Sequence, residues 1–359
     1  MFRMGQKYRP LRGEISTVKF QTRKHVKAKT GIDILNCDAP CMNKKPKLAV
    51  SSCLLGKKVR YNGDAAEFRP LNRIWSEHLE LIGVCPEVGI GMGVPRPTVR
   101  LVKGEERISL IDPKNGHDYT DKMLEYAEIQ SDFLVASGIS GFVFKKDSPS
   151  CGLERVKVYR GDNPQAVRDG AGLFSKVFTT LYPHIPVIEE GRLTDALQAE
   201  HFLARVHFFD EWQTIGKEGW TAAKVMQFHA EHKLFLLSRA PDSKRMLGRI
   251  IAEGFDNDEH PENVALKYMT EAQKHLSTLT KRGRIAHAME RVVGRLPQIS
   301  KPEKRELLDV IHSFRRGLLP RSAAMILLSH HINQHDADNP IHKNFVSPIP
   351  MEIGLMARV

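Results

Sequence analysis

The sequence predicts an α/β fold in two parts, a mostly parallel, Rossmann-like sheet domain followed by an all-α helical domain. From residue 46 to residue 192, short apolar runs typical of strands alternate with amphipathic helical patterns. Such alternation is typical of a parallel sheet that is covered by helices on both faces. From residue 193 to residue 328 the strand signals stop, and long helical patterns follow one another with prolines between the later ones.

Two terminal segments lie outside these domains. Residues 1–45 lack hydrophobic periodicity and are predicted to be a disordered extension. Met42 opens a short lysine-rich stretch before the first strand, so we take it as the natural start and Cys37 and Cys41 as incidental. In the alternative these two cysteines bind a metal, although no Cys or His pair follows at zinc-finger spacing. Residues 329–359, rich in His, Asn, Asp and Pro, are predicted to be a tail.

Charge and hydropathy restrict the location and the partners. The net charge is +12, of which residues 1–41 contribute 9 − 3 = +6. No apolar stretch reaches the roughly 18 residues of a membrane span, and the basic start lacks the apolar core of a secretory signal. We therefore predict a cytoplasmic protein with no membrane contact. The positive charge favours anionic partners, including nucleic acid through the basic helical domain. In the alternative, it contributes only to solubility.

Three cysteines each follow an apolar run and begin a loop rich in Gly, Pro or Ser. They are Cys53, Cys85 and Cys151. Ligands of open parallel sheets collect at the carboxyl ends of the strands, so we expect these cysteines to meet in one crevice. Five cysteines in a chain of 359 residues are not a disulfide framework, and clustered cysteines in a reducing compartment are more often metal ligands or catalysts.

The number of cysteines bears on the kind of metal centre. A structural zinc site normally has four protein ligands, and no fourth is evident here. Three cysteines can hold a [4Fe-4S] cluster and leave one iron open to water or substrate, where it acts as a Lewis acid. The closely grouped cysteines of ferredoxins are absent. Zinc ligation and three unrelated buried thiols are the alternatives.

Polar residues beside the cysteines are candidates for catalysis and binding. Glu87 follows the second cysteine by two residues and can position or deprotonate water. Ser148 and Ser150, which flank a proline just before the third cysteine, can orient a heterocycle or stabilise charge. Arg96 can pair with a phosphate or a carbonyl group. The alternatives are a helix cap, a turn motif and a surface ion pair.

Three motifs surround the three cysteines. The first is Val50-Ser51-Ser52-Cys53-Leu54-Leu55-Gly56, the second begins with Cys85-Pro86-Glu87, and the third is Lys146-Asp147-Ser148-Pro149-Ser150-Cys151-Gly152. In this order they resemble the motifs of the thiouracil desulfidase family. The resemblance covers about residues 46–190.

This resemblance implies an enzyme with a [4Fe-4S] cluster on Cys53, Cys85 and Cys151. The open iron would bind the sulfur of a thiolated pyrimidine, and Glu87 and Ser148 are implicated in the chemistry. Water would replace the sulfur, converting C=S to C=O without net electron transfer. The substrate would be a thiouracil-like base, a nucleoside or an RNA fragment.

The second domain contains stretches such as Trp220-Thr221-Ala222-Ala223-Lys224 and Gly317-Leu318-Leu319-Pro320. In these it resembles the YbgA-like domain of unknown function, which implies no activity. Two histidine groups in the chain are candidate metal ligands, His229 with His232, and His330 and His331 with His335. Packed or solvated helix faces are the alternative in both cases.

Two other functions remain open from the sequence. One is a [4Fe-4S] hydro-lyase, whose open iron binds hydroxyl and carboxylate groups. Such sites usually contain several arginines for the carboxylates, and only Arg96 stands near the motifs. The other is a nucleic-acid-binding module with a structural cluster, which would bind with steep salt dependence and no turnover.

Overall fold

The computed structural model describes residues 45–160 and 163–353, which form one compact unit. The predicted N-terminal extension and the predictions on Cys37, Cys41 and Met42 lie outside the described residues. The strands are β1 Lys47–Ser51, β2 Glu80–Val84, β3 Arg100–Lys103, β4 Ile108–Ile111, β5 Ile139–Phe144, β6 Val156–Arg160, β7 Asn163–Gly170 and β8 Val187–Glu189.

Helices fill the spaces between strands and make up the second half of the chain. They are α1 Ser76–His78, α2 Pro86–Gly89, α3 Thr120–Ala136, α4 Leu173–Leu181, α5 Ala196–Gly216, α6 Ala222–Glu231, α7 Lys233–Arg239, α8 Ser243–Asp256, α9 Pro261–Leu276, α10 Arg282–Val293, α11 Lys301–Arg316, α12 Arg321–His335 and α13 Pro340–Val346. This arrangement confirms the predicted α/β part followed by a helical part.

The first sheet has the order β2-β1-β5-β8, and all of its strands are parallel. β5 is buried along its whole length, which explains its uninterrupted apolar character. Phe142 and Phe144 stack with ring centroids 3.8 Å apart, and Phe174 and Phe178 of α4 pack edge-on against them. The mostly parallel sheet predicted from the sequence is therefore confirmed.

A second, mixed sheet has the order β4-β3-β6-β7. β3 and β4 form an antiparallel hairpin. β6 and β7 form another hairpin, and β6 runs parallel to β3. Sequence analysis did not predict the β6–β7 hairpin, although Val156 and Val158 alternate with polar residues in the manner of a half-buried strand.

Helix α5 connects the sheet to the helical region. Asp195 caps its N-terminus by accepting a hydrogen bond from the Gln198 N–H at 2.9 Å. On the same helix, Asp210 accepts a hydrogen bond from the Ser140 hydroxyl at 2.7 Å. Gly141 lets the helix approach β5, because a Cβ there would lie 2.8 Å from Val206. These contacts fix the first helix of the second region directly on the sheet.

The helical region contains a buried ionic cluster, which we call the Glu200 cluster. Glu200 of α5 accepts hydrogen bonds from Arg239 at 2.5 Å and from Arg321 at 2.8 Å. His201 contacts Arg239 at 3.1 Å and the Leu276 carbonyl oxygen at 2.7 Å. All four side chains are buried. The cluster therefore joins α5, α7 and α12 through charges that water does not screen.

Helical packing continues beyond residue 328, where the sequence predicted a tail. Helix α12 extends to His335, α13 follows, and Phe345 and Ile349 are buried. The polar composition was misleading because two histidines of this segment, His331 and His342, are themselves buried. In the described part of the chain, no helix combines the length and apolarity that a membrane span needs. The cytoplasmic location stays a prediction.

Candidate metal centre

The three cysteines follow three neighbouring strands at one edge of the parallel sheet. β1 lies between β2 and β5, with Ser51 opposite Val84 and Val50 opposite Val143. Cys53 lies in a 3₁₀ turn just after β1, Cys85 follows β2 directly, and Cys151 lies in the loop after β5. The crevice expected at the carboxyl ends of these strands is therefore present, and we call it the cysteine crevice.

The thiols of the crevice are hard to ionise without a bound cation. Burial raises the pKa of Cys53 to about 11, against the opposing effect of Lys145. Burial also raises the pKa of Cys85, and it raises that of the fully buried Cys151 furthest, with the Glu87 carboxylate adding to this effect. A Cys85 thiolate would raise the pKa of Cys53 and of Cys151, and a Cys53 thiolate would raise that of Cys151. A positively charged metal centre is what would stabilise all three thiolates together.

The spacing of the sulfur atoms argues against a single small ion. All three cysteines are free, and their Sγ atoms do not all lie within 4.8 Å of one another. A tetrahedral zinc ion with Zn–S bonds of about 2.3 Å would hold its sulfur ligands about 3.8 Å apart. Three soft thiolate donors suit an iron–sulfur cluster, which is larger than one ion.

Glu87 lies at the crevice in a hydrogen-bonded group with Arg96 and Ser150. Glu87 Oε2 accepts from Arg96 Nη2 at 2.5 Å and Nε at 2.9 Å, while Oε1 accepts from Ser150 Oγ at 3.0 Å. The Arg96 side chain is only 5% exposed, and Arg96 Nη1 donates to the Gly93 carbonyl oxygen. The structure thus brings together three of the predicted site residues and fixes the orientation of the carboxylate.

Ser148 shapes the loop that carries Cys151. Its Oγ accepts from the backbone N–H of Ser150 at 3.2 Å and from that of Cys151 at 3.1 Å. This is the turn-forming role that was the alternative at the sequence level. The hydroxyl proton of Ser148 has no acceptor among the described hydrogen bonds, so the side chain can still donate to a ligand.

Tyr126 is a residue of the site that sequence analysis missed. Its helical periodicity marks it as part of the buried face of α3, but not what it covers. Burial raises its pKa, and the nearby Cys85 and Cys151 raise it further. A Cβ at Gly89 would lie 2.2 Å from the Tyr126 ring, so the glycine lets the ring lie against α2, which follows Cys85.

Two charged residues near Cys53 were also missed. Lys145 forms an ion pair with Glu190, which also accepts a hydrogen bond from the Lys146 N–H at 2.6 Å. Lys145 lowers the pKa of Cys53, whereas Glu190 raises it. Lys145 follows β5 directly, so its position after a strand end was the signal that could have identified it.

Gly172 holds the Cys151 loop against the start of α4, and Gly172→Ala is expected to disrupt the site. The new Cβ would lie 2.5 Å from the Ser150 carbonyl group and 2.7 Å from the Cys151 nitrogen, both backbone atoms. Because the backbone at Gly172 suits alanine (φ −61°, ψ 144°), the effect is steric. We expect a loss of about 1–3 kcal/mol in the free energy of unfolding, measured with urea.

Gly283→Ala is the matched control for this substitution. No atom lies within 4 Å of a Cβ at Gly283, and the residue is helical. Alanine there should leave stability unchanged or raise it by up to about 1 kcal/mol. Equal stability of the two variants would contradict the close approach at Gly172.

Two family models match the two parts of the chain. Residues 48–190 match the family described as 2-thiouracil desulfurase. Residues 233–350 match a family described as a protein of unknown function, DUF1722. The chain is also similar to a solved structure titled [4Fe-4S]-dependent thiouracil desulfidase TudS, with 29% identity over 42% of this chain and 94% of that one, at a TM-score of 0.33.

A curated relative aligns with part of this chain over almost its own full length. The chain is 30% identical over 155 residues to the uncharacterised protein YbbK of Bacillus subtilis (strain 168). The aligned part is 42% of this chain and 99% of the relative. The chain belongs to the 2-thiouracil desulfurase family through its sheet domain, to which a DUF1722 helical region is fused.

Proposed function

We propose that the chain is an iron–sulfur-dependent desulfidase that removes sulfur from a thiolated pyrimidine. The observation that carries this proposal is the cysteine crevice, in which three free thiols from adjacent strand ends lie beside an oriented carboxylate. The family of the sheet domain supports the same reaction. The overall change is C=S + H₂O → C=O + H₂S, which needs no oxidant or reductant.

Cys53, Cys85 and Cys151 would hold the [4Fe-4S] cluster. When bound, such a cluster with one iron free of protein ligands supplies a thiophilic Lewis acid beside the substrate. Burial raises the pKa values of all three thiols despite the opposing effects of Lys145 on Cys53 and Arg96 on Cys85, and a bound cluster would stabilise the three thiolates together, which fits this assignment.

We assign to Glu87 the role of positioning and deprotonating the attacking water. Its carboxylate acts electrostatically on Cys85 and Cys151, and it can accept a proton as water attacks the ring carbon. Arg96 and Ser150 hold that carboxylate from both sides. The sequence predicts a substrate-binding role for both residues, whereas their hydrogen bonds favour a positioning role, and Ser150 is fully buried.

Ser148 and the helical region have further roles in this proposal. The Ser148 hydroxyl can donate to the carbonyl oxygen or ring nitrogen of a pyrimidine while its oxygen keeps the Cys151 loop folded. A thiolated base, a nucleoside and an RNA fragment all contain the reacting group. The basic residues of the helical region would matter only for the RNA fragment.

The test begins with the wild-type chain. It is purified without oxygen, its iron and acid-labile sulfide are measured, and it is incubated with 2-thiouracil. We expect about four irons per chain, release of sulfide and formation of uracil in equal amounts. Substrates of increasing size, from the base to a thiolated oligonucleotide, then show which class is turned over fastest.

Other outcomes of this test distinguish the remaining functions. Iron without sulfide release from any thiolated pyrimidine would contradict the desulfidase and favour a hydro-lyase. Tight, salt-sensitive RNA binding without turnover would favour a nucleic-acid-binding module. A chain that takes up no iron on anaerobic reconstitution would refute the cluster itself.

A further inference from the structure

A second group of ligand-type side chains lies in the helical region, on α11 and α12. Glu303 is in the first turn of α11, and His331 and His335 are one turn apart near the end of α12. One ring nitrogen of each histidine and one carboxylate oxygen of Glu303 all lie within 4.8 Å of one another. No other such group of three occurs among the described residues.

The two histidines present buried nitrogens that have no hydrogen-bond partner. His331 is only 5% exposed, and its Nδ1 is buried and unpaired. His335 Nε2 is also buried and unpaired, and it lies 3.9 Å from Glu303 Oε1, too far for a hydrogen bond. Unpaired buried polar atoms are destabilising, so a ligand that binds these two nitrogens would stabilise the fold.

The three side chains are oriented before any ligand binds. The two imidazole rings are nearly parallel, with an interplanar angle of 4° and centroids 6.0 Å apart. Glu303 Oε2 accepts from the Ser300 N–H at 2.8 Å in a capping box, which leaves Oε1 directed towards His335. Hydrogen bonds of this kind hold metal-binding carboxylates in place in known sites.

We propose that Glu303, His331 and His335 form a binding site for a divalent transition-metal ion of the zinc class. Two imidazoles and one carboxylate are ligands that zinc prefers, whereas calcium and magnesium prefer oxygen alone. Bonds of about 2.0–2.1 Å would bring the ligand atoms to about 3.4 Å from one another, which side-chain rotations can provide. Glu303 is 36% and His335 18% exposed, so water can complete the coordination.

A metal here would clamp α11 to α12. The site shares no residue with the cysteine crevice and does not depend on the desulfidase proposal. The sequence offered His330, His331 and His335 as candidates together. The structure retains the pair spaced by four residues, adds Glu303, and leaves His330 exposed outside the group.

The test uses the full chain and compares four proteins, wild type, His335→Ala, Glu303→Gln and His330→Ala. Each is stripped with EDTA, loaded with excess Zn²⁺ and desalted, and its zinc is measured by mass spectrometry. We expect His335→Ala to hold one zinc fewer per chain than wild type. His330→Ala, the matched control, should equal wild type. Comparison between variants cancels any zinc that the cysteines bind.

Thermal unfolding with and without Zn²⁺ gives the second readout. Zinc should raise the unfolding temperature of wild type and His330→Ala, with no such rise in His335→Ala. Glu303→Gln keeps an N3 residue suited to the capping box, so it should stay folded and need at least about 10-fold more zinc for the same rise. Equal zinc content and equal zinc response in all four proteins would overturn the proposal.

Discussion

Replacement of Glu87 by Gln is expected to lower the rate of sulfide release by at least about 100-fold and to leave the iron content unchanged. A positioned general base contributes about 10²- to 10⁴-fold to a rate, and an amide cannot take a proton from water. Gln has nearly the same shape. Its amide oxygen can accept from Arg96, and its NH2 group can donate to the Ser150 hydroxyl oxygen, where the carboxylate accepts from both. The loss should therefore fall on kcat.

The measurement separates catalysis from cluster binding. Iron per chain, kcat and KM for 2-thiouracil are determined for Glu87→Gln and for two comparison variants. Cys151→Ala should lose iron and turnover together. Glu80→Gln, an exposed carboxylate on the strand before Cys85, should keep both. Full turnover in Glu87→Gln would mean that another group deprotonates the water, and Ser148 would be the next residue to test.

Arg96→Lys would test how the carboxylate is positioned. Lysine keeps the charge but replaces a planar fork that makes two hydrogen bonds to one oxygen. A decrease in kcat smaller than that of Glu87→Gln, with KM and iron unchanged, is the expected pattern. A large increase in KM instead would return Arg96 to the substrate-binding role predicted from the sequence.

The cysteine crevice could be predicted from the sequence because each cysteine directly follows a segment that is recognisable as a strand. Leu48-Ala49-Val50 and the other apolar runs identify strands, and each cysteine follows such a run. Parallel strands end at a common edge, so sequence position after a strand translates directly into spatial position. The same reasoning could have included Lys145, which also follows a strand.

The contacts within the crevice could not be predicted in this way. The hydrogen bonds from Arg96 to Glu87 depend on the path of the loop between these residues, and sequence spacing does not determine that path. Helical periodicity marks Tyr126 as buried, but its contact with Gly89 requires the tertiary packing of α3 on α2. In the same way, polar composition hid α13, because burial of a histidine depends on its partners.

Glu200→Gln is expected to lower the free energy of unfolding by about 3–5 kcal/mol at pH 7. Removal of one partner from a buried ion pair leaves an uncompensated buried charge, and the penalty has this size. Here two guanidinium groups, Arg239 and Arg321, would lose their shared carboxylate, and both are almost fully buried. Glu253→Gln, whose carboxylate forms an exposed pair with Arg249, should cost less than about 1 kcal/mol.

The dependence on pH identifies the charge as the cause of this loss. Burial alone would raise the pKa of Glu200, but Arg239 and Arg321 outweigh it and hold the pKa far below the ordinary value of 4.5. Below pH 4.5 the unfolded chain takes up a proton at this residue that the folded chain does not. The stability that the carboxylate contributes is thus complete above pH 4.5 and decreases as pH falls.

The difference in the free energy of unfolding between wild type and Glu200→Gln should therefore decrease by about 1.4 kcal/mol for each pH unit below 4.5. His201 acts in the same direction in both proteins, because burial and Arg239 lower its pKa to about 3 and its proton uptake on unfolding begins below the ordinary 6.5. His201 therefore lowers the free energy of unfolding of both proteins as pH falls, and its contribution largely cancels in the difference between them. Denaturant unfolding from pH 7 to pH 3.5 measures this difference. A gap that stays constant with pH would mean that Gln disturbs packing and that the charge of Glu200 contributes little to stability.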